Sequence, residues 1–217
     1  MFHTLSNEVV RMEHIANQIT VRGTLAGIPE ISHENHGKVF YRFSLDVPRL
    51  SSATDTLPVI ASRELLENTN IENKSMITVF GQLRSHNLRI GGKRRLLIYI
   101  FASTILLEDG CPINETVLEG TICRAPTFRK TPLGREICDV MLSVSRGYQR
   151  SDYLPCILWG QTARIFSKCG IGSYVRISGR FQSREYTKLT DEGPLIKTAY
   201  EVSALTGEVL SFQEEGL

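Results

Sequence analysis

Nine residues between positions 146 and 186 alternate aromatic rings with guanidinium groups: Arg146, Tyr148, Arg150, Tyr153, Trp159, Arg176, Arg180, Arg184 and Tyr186. An exposed ring offers a π-face on which a planar base can stack, for roughly 1–3 kcal/mol per base, while guanidinium groups track a phosphate backbone. Neither interaction depends on which base is present. Such a set suits an unpaired strand without sequence preference, because a duplex hides the faces that stacking needs. Each ring taken singly could equally be an ordinary core or surface aromatic.

The charge distribution leans the same way. The whole chain carries 25 Lys and Arg against 23 Asp and Glu. Residues 115 to 188 hold 12 basic and 6 acidic residues, a local excess of +6, whereas residues 1 to 114 stand at +1 and residues 189 to 217 at −5. A basic excess confined to one region is the footprint expected where phosphates are neutralised, and a solvated face is the plainer alternative.

Catalytic and cofactor chemistry finds little support. Gly91-Gly92-Lys93 falls between two strand patterns and reads as a hairpin turn, not a phosphate loop. His33 and His36 share a polar loop with Glu34 and no cysteine, a poor metal set, so neither metal nor cofactor is expected. The five cysteines, Cys111, Cys123, Cys138, Cys156 and Cys169, are odd in number and lack a Cys-x-x-Cys pair, and they read as small core residues in a reducing compartment. Met1 to Gln18 mixes charged residues among apolar ones, and no apolar run approaches membrane-spanning length. A non-enzymatic, cytoplasmic protein is the expectation.

The elements that must position the rings come from an internal repeat. At an offset of 97 residues Gly23 meets Gly120, Pro29 meets Pro126, Leu45 meets Leu142, Arg49 meets Arg146 and Leu57-Pro58 meets Leu154-Pro155. One more residue of offset brings Ile77, Val79, Gly81 and Leu83 onto Val175, Ile177, Gly179 and Phe181. In the second half, strands are predicted at Val117 to Ile122, Ile137 to Ser145, Asp152 to Trp159, Ser173 to Glu185 and Ile196 to Leu205, with a short helix over Gln161 to Lys168 and a turn-rich loop over Arg124 to Gly134. In the first half they fall near Gln18 to Leu25, Lys38 to Val47, Thr56 to Ala61, Met76 to Ser85 and Arg94 to Leu107, with a helix over Ser62 to Asn68. Three strands, a helix and two strands is the order of an OB-fold, so the chain is expected to be all-β with short helices, two tandem five-stranded Greek-key barrels divided as 1-110 and 111-217.

The repeat also sharpens the reading of the rings. Tyr148, Tyr153, Trp159 and Tyr186 correspond to Ser51, Thr56, Ser62 and Leu88. Were the rings needed to build a barrel, both copies should keep bulk there. The N-terminal lobe is therefore expected to be a degenerate, largely architectural copy, with Trp159 the principal stacking residue of the other.

The C-terminal half resembles the bacterial single-stranded DNA-binding protein family. The resemblance rests on Gly120-Thr121-Ile122, Pro126, Thr131-Pro132-x-Gly134, Leu142-x-Val144, Asp152 to Gly160 and Gly179 to Tyr186 in order, and covers roughly Val117 to Leu205. It implies that Tyr148, Tyr153, Trp159 and Tyr186 stack on DNA bases, that single-stranded DNA is the partner, and that four barrels assemble, here as a homo-oligomer of two chains. The family's acidic tail ending in Pro-Phe, which docks replication proteins, has no counterpart in Ser-Phe-Gln-Glu-Glu-Gly-Leu. A specialised binder is thus as compatible as a replication hub, and a primosome-like module that chiefly holds protein partners is the alternative.

Overall fold

The computed structural model describes residues 16–69, 71–90, 92–190 and 193–213. The expectations that fall on residues 1–15, Gly91, Glu214 and Glu215 lie outside the described residues. The elements run β1 (Asn17–Asn35), β2 (Lys38–Pro48), β3 (Thr54–Ser62), α1 (Arg63–Thr69), β4 (Met76–Ile90), β5 (Lys93–Leu107), β6 (Ile113–Lys130), β7 (Glu136–Ser145), β8 (Ser151–Trp159), α2 (Gly160–Phe166), β9 (Tyr174–Thr190) and β10 (Gly193–Ser211).

Period-two alternation drives each barrel shut. Leu45 and Val47 on β2, Leu57 and Val59 on β3, and Ile98 and Ile100 on β5 point inward and are buried, as are Leu142 and Val144 on β7, and Leu154, Cys156 and Leu158 on β8. Strand β1 pairs with both β2 and β4, β3 pairs with β2 and, in parallel, with β5, and β4 with β5. That ring of pairings is closed. Strands β6 to β10 repeat it in the same order. Closure needs tight approach at one corner of each barrel. A Cβ on Gly81 would lie 2.2 Å from the Phe101 carbonyl oxygen, and one on the repeat-matched Gly179 would lie 2.3 Å from that of Ser203, so only glycine fits.

The two barrels join along β1 and β6, which pair antiparallel from Asn17↔Leu118 to Arg22↔Ile113. The register is centred on Ile19↔Thr116, two repeat-matched residues, so the lobes are related by a pseudo-twofold axis at that pair. Two side-chain amides guard the joint in the same way. Asn17 accepts from the Leu83 N–H and donates to its carbonyl, at 2.9 and 2.7 Å, and Asn114 does the same to Phe181.

Several strands outrun their predicted limits. The Arg124 to Gly134 loop is instead mostly strand, since β6 continues to Lys130 and turns only at Thr131–Arg135, where the Thr131 N–H meets the Arg135 carbonyl at 2.8 Å. Pro126, read as a turn residue, sits in the register shift between Arg124 and Thr127, where its missing N–H interrupts no ladder bond. Likewise β9 and β10 extend past the barrel as a hairpin arm. Cysteine burial is uneven: Cys138, Cys156 and Cys169 are in the core, but Cys111 is exposed, because it lies in the connection after Gly110 and not on a strand.

Candidate nucleic-acid interface

Residues paired across strands share a face, so the ladder registers locate each candidate. On the outward rows of the C-terminal lobe Trp159 lies opposite Ile137, Tyr153 opposite Ser143, Arg180 opposite Ser203, Arg184 opposite Ala199 and Tyr186 opposite Lys197. Trp159 and Tyr153 thus point the same way from β8, as alternation predicts. Both are part-exposed, at 39 and 42 %, as is Tyr186 at 40 %. The Trp159 indole N–H donates to the Ser203 hydroxyl at 3.1 Å, which leaves the ring fixed at its edge and open on its face. The Arg184 guanidinium sits 5.9 Å from the centre of the Tyr186 ring and only 3.3 Å from Glu201.

Tyr148 stands apart from these. It is wholly exposed at the tip of the β7–β8 turn, with φ +50°, a left-handed conformation that costs a bulky residue about 1 kcal/mol or more. The turn is closed by the Arg146 N–H on the Arg150 carbonyl at 2.8 Å, and Arg49 and Ala53 close its N-terminal counterpart at 2.7 Å. That closing bond is kept in both lobes, whereas the inner turn is not: the Ser52 N–H donates to the Arg49 carbonyl in one, and the Arg150 N–H to the Gly147 carbonyl in the other. Arg150 is exposed in the same turn.

Two of the predicted arginines are already paired with buried carboxylates. Arg146 forms a two-pronged pair with the fully buried Asp152, its Nε donating at 2.9 Å. Asp152 also accepts the Ser85 N–H of the other lobe at 2.6 Å. The repeat-matched Arg49 pairs with the buried Asp55 at 2.7 Å through its Nε, and Asp55 accepts the Ser183 N–H at 2.7 Å. Each lobe therefore grips a serine of its partner with an Arg–Asp pair. Sequence held the signal: Arg49 and Arg146 survive in both copies, unlike the rings. Arg176 is bound at 2.7 Å to the buried Glu119 and at 3.4 Å to Glu208. Arg180, by contrast, makes no side-chain ion pair among the described residues.

Between the lobes runs a cleft of about 910 Å³ lined mainly by the N-terminal lobe, to which both members of the repeat-matched pairs Pro58/Pro155 and Leu88/Tyr186 contribute. Sequence reasoning missed it, since its walls come from eight separate strands. Tyr200 lines it beside Phe181, ring centres 5.8 Å apart, and burial pushes its phenol above the usual range. Burial also raises the Cys138 thiol to about 11, which makes it an inert core residue. Among the described residues no three His, Cys, Asp or Glu side chains cluster as a metal site, and no helix is long and apolar enough to cross a membrane.

This arrangement can be compared with known proteins. The model of the Single-strand binding protein family matches residues 113–209. Single-stranded DNA-binding protein B of Bacillus subtilis is 35 % identical over 80 residues, which cover 34 % of this chain and 71 % of that protein. The chain belongs to the single-strand binding protein family. A second relative, single-stranded DNA-binding protein 1 of Lactococcus lactis, is 33 % identical over 81 residues, 34 % of this chain and 54 % of its own length. The crystal structure of the wild-type single-stranded DNA binding protein from Thermus aquaticus superposes with a TM-score of 0.73 at 20 % identity, covering 93 % of this chain and 96 % of that one. That likeness is one of fold, and it takes in both barrels. Family membership agrees with the expectation of a binding protein in place of an enzyme.

Proposed function

We propose that this chain binds and protects single-stranded DNA without sequence preference. Its C-terminal lobe, residues 111–217, stacks bases on Trp159, Tyr153, Tyr186 and Tyr148, and Arg150, Arg180 and Arg184 follow the phosphates. The observation that carries the reading is the contrast between repeats: two barrels of the same topology differ at the outward positions where one exposes rings and the other Ser51, Thr56, Ser62 and Leu88. Single-stranded DNA is also what the relatives are named for. Arg146 and Arg176 are left out of the contact set because buried carboxylates already hold them. Replication, recombination and repair are the processes that expose such strands.

Titration with labelled oligo-dT tests this. Binding should quench Trp159, weaken steeply with added salt and far exceed binding to the matching duplex. Equal affinity for the two forms sinks the proposal. By analogy with a family that assembles four barrels, two chains are proposed to associate. Light scattering at micromolar concentration should then give twice the 24.4 kDa chain mass, and a monomer removes that part.

A further inference from the structure

We propose that the N-terminal lobe carries a second stacking surface for single-stranded DNA, a rail of His33, Phe40 and Phe101 that replaces the missing counterpart of Trp159. The proposal rests on the reading of the C-terminal lobe given above. The planar groups stand in sequence. His33 lies parallel to Phe40 with ring centres 4.9 Å apart and an angle of 9°, and Phe40 and Phe101 are 5.7 Å apart; the Arg84 guanidinium, 3.9 Å from the buried Asp152, backs the row 5.4 Å from the Phe101 centre.

The registers explain why the rings are there. Phe40 lies opposite Ser62 on β3, and Phe101 lies opposite Ile60 on the same strand. Because Ser62 is small, two rings from the flanking strands meet across β3. In the C-terminal lobe the same two positions hold Ile137 and Ser203, and the ring is on the central strand as Trp159. Aromatic bulk has thus moved sideways from one strand to its two neighbours. Phe40 and Phe101 stand on the outward rows and are part-exposed, so they are not core residues. Arg42, two residues along from Phe40, is tied among the described residues to Glu30 in a pair about two-thirds exposed on both sides, a contact weak enough to exchange for a phosphate. The interlobe cleft, lined by Arg42, His86 and Tyr99 from one lobe and by Pro155, Tyr186 and Tyr200 from the other, offers a continuous route between the two faces.

The test compares two lengths of oligo-dT on the full chain, about 10 nucleotides, within the reach of one barrel, and about 35, long enough for two. Trp159 quenching reports both, and the double variant Phe40→Leu/Phe101→Leu keeps apolar bulk while removing the π-faces. Expected is a loss of about tenfold in affinity for the long oligonucleotide with the short one unchanged. Equal affinity of wild type and variant for the long strand overturns the rail. Failure of the short strand to quench Trp159 defeats the underlying reading, and the rail with it. Should the variant melt early, crosslinking of the wild-type chain to an iodouracil-substituted long strand decides: adducts on His33, Phe40 or Phe101 support the rail, and adducts confined to the C-terminal lobe refute it.

Discussion

Near the start of their third strands both barrels bury an aspartate, Asp55 and Asp152, each clamped by an arginine and each holding a serine of the other lobe. At the ends of those same strands one barrel presents Trp159 and the other Ser62. Where the halves agree, the residues close a barrel or bind it to its neighbour, as do Gly81 with Gly179 and Asn17 with Asn114. The four rings that only the second lobe carries face outward, whereas inward differences such as Leu83 against Phe181 exchange one apolar side chain for another. Divergence within one chain therefore separates architecture from recognition without recourse to other sequences.

The largest effect expected on this comparison concerns what the lobes share. Asp152→Ala strands Arg146 and the Ser85 N–H at a buried joint and should lower stability by about 3 kcal/mol, read from urea unfolding. Asp55→Ala should cost a similar amount. A large inequality between the two would break the pseudo-twofold argument. Next comes what they do not share: Trp159→Ala should weaken oligo-dT binding by about 1–3 kcal/mol with the melting temperature nearly kept, while Ser62→Ala changes neither. Unfolding of the Trp159 variant would place that ring in the core.

Tyr148 supplies a smaller effect with opposite signs. Tyr148→Gly relieves a left-handed tyrosine and should raise stability by about 0.5–1 kcal/mol in thermal melts while reducing DNA affinity. A variant that is both less stable and equally tight would show that the turn and not the strand needs the ring. Smallest of all, Arg180→Ala and Arg184→Ala should each reduce the slope of log affinity against log salt by about one, and Arg146→Ala should lower stability with little change in that slope. If Arg146 moves the slope as far as Arg180 does, the interlobe assignment is incomplete.

The barrel order, the short helices and the orientation of Trp159 and Tyr153 were legible in the sequence because β2, β3, β7 and β8 have one wet and one dry face, which writes itself as alternation. The arms of β6, β9 and β10 were not, because beyond the barrel both faces meet solvent and the period of two disappears. The second partner of Arg146 was hidden for a related reason: a guanidinium beside exposed tyrosines looks like a phosphate ligand until the buried Asp152 is seen behind it. The His33–Phe40–Phe101 row lay hidden because its members are separated by up to 68 positions, and comparison of Ser62 with Trp159 alone registers a loss where the surface records a displacement.

The pairing of β1 with β6 has a kinetic side. Two barrels held by one antiparallel strand pair and two Arg–Asp clamps would, as separate molecules, come apart on dilution. Here Glu108 to Pro112 tethers them, and a connection that short sets an effective local concentration of the order of millimolar. The paired state then persists in a cell holding few copies, and each half keeps its neighbour whatever happens to its own outer surface. Fusion of that kind releases the two faces from having to match, and one chain can carry two different grips on the same strand.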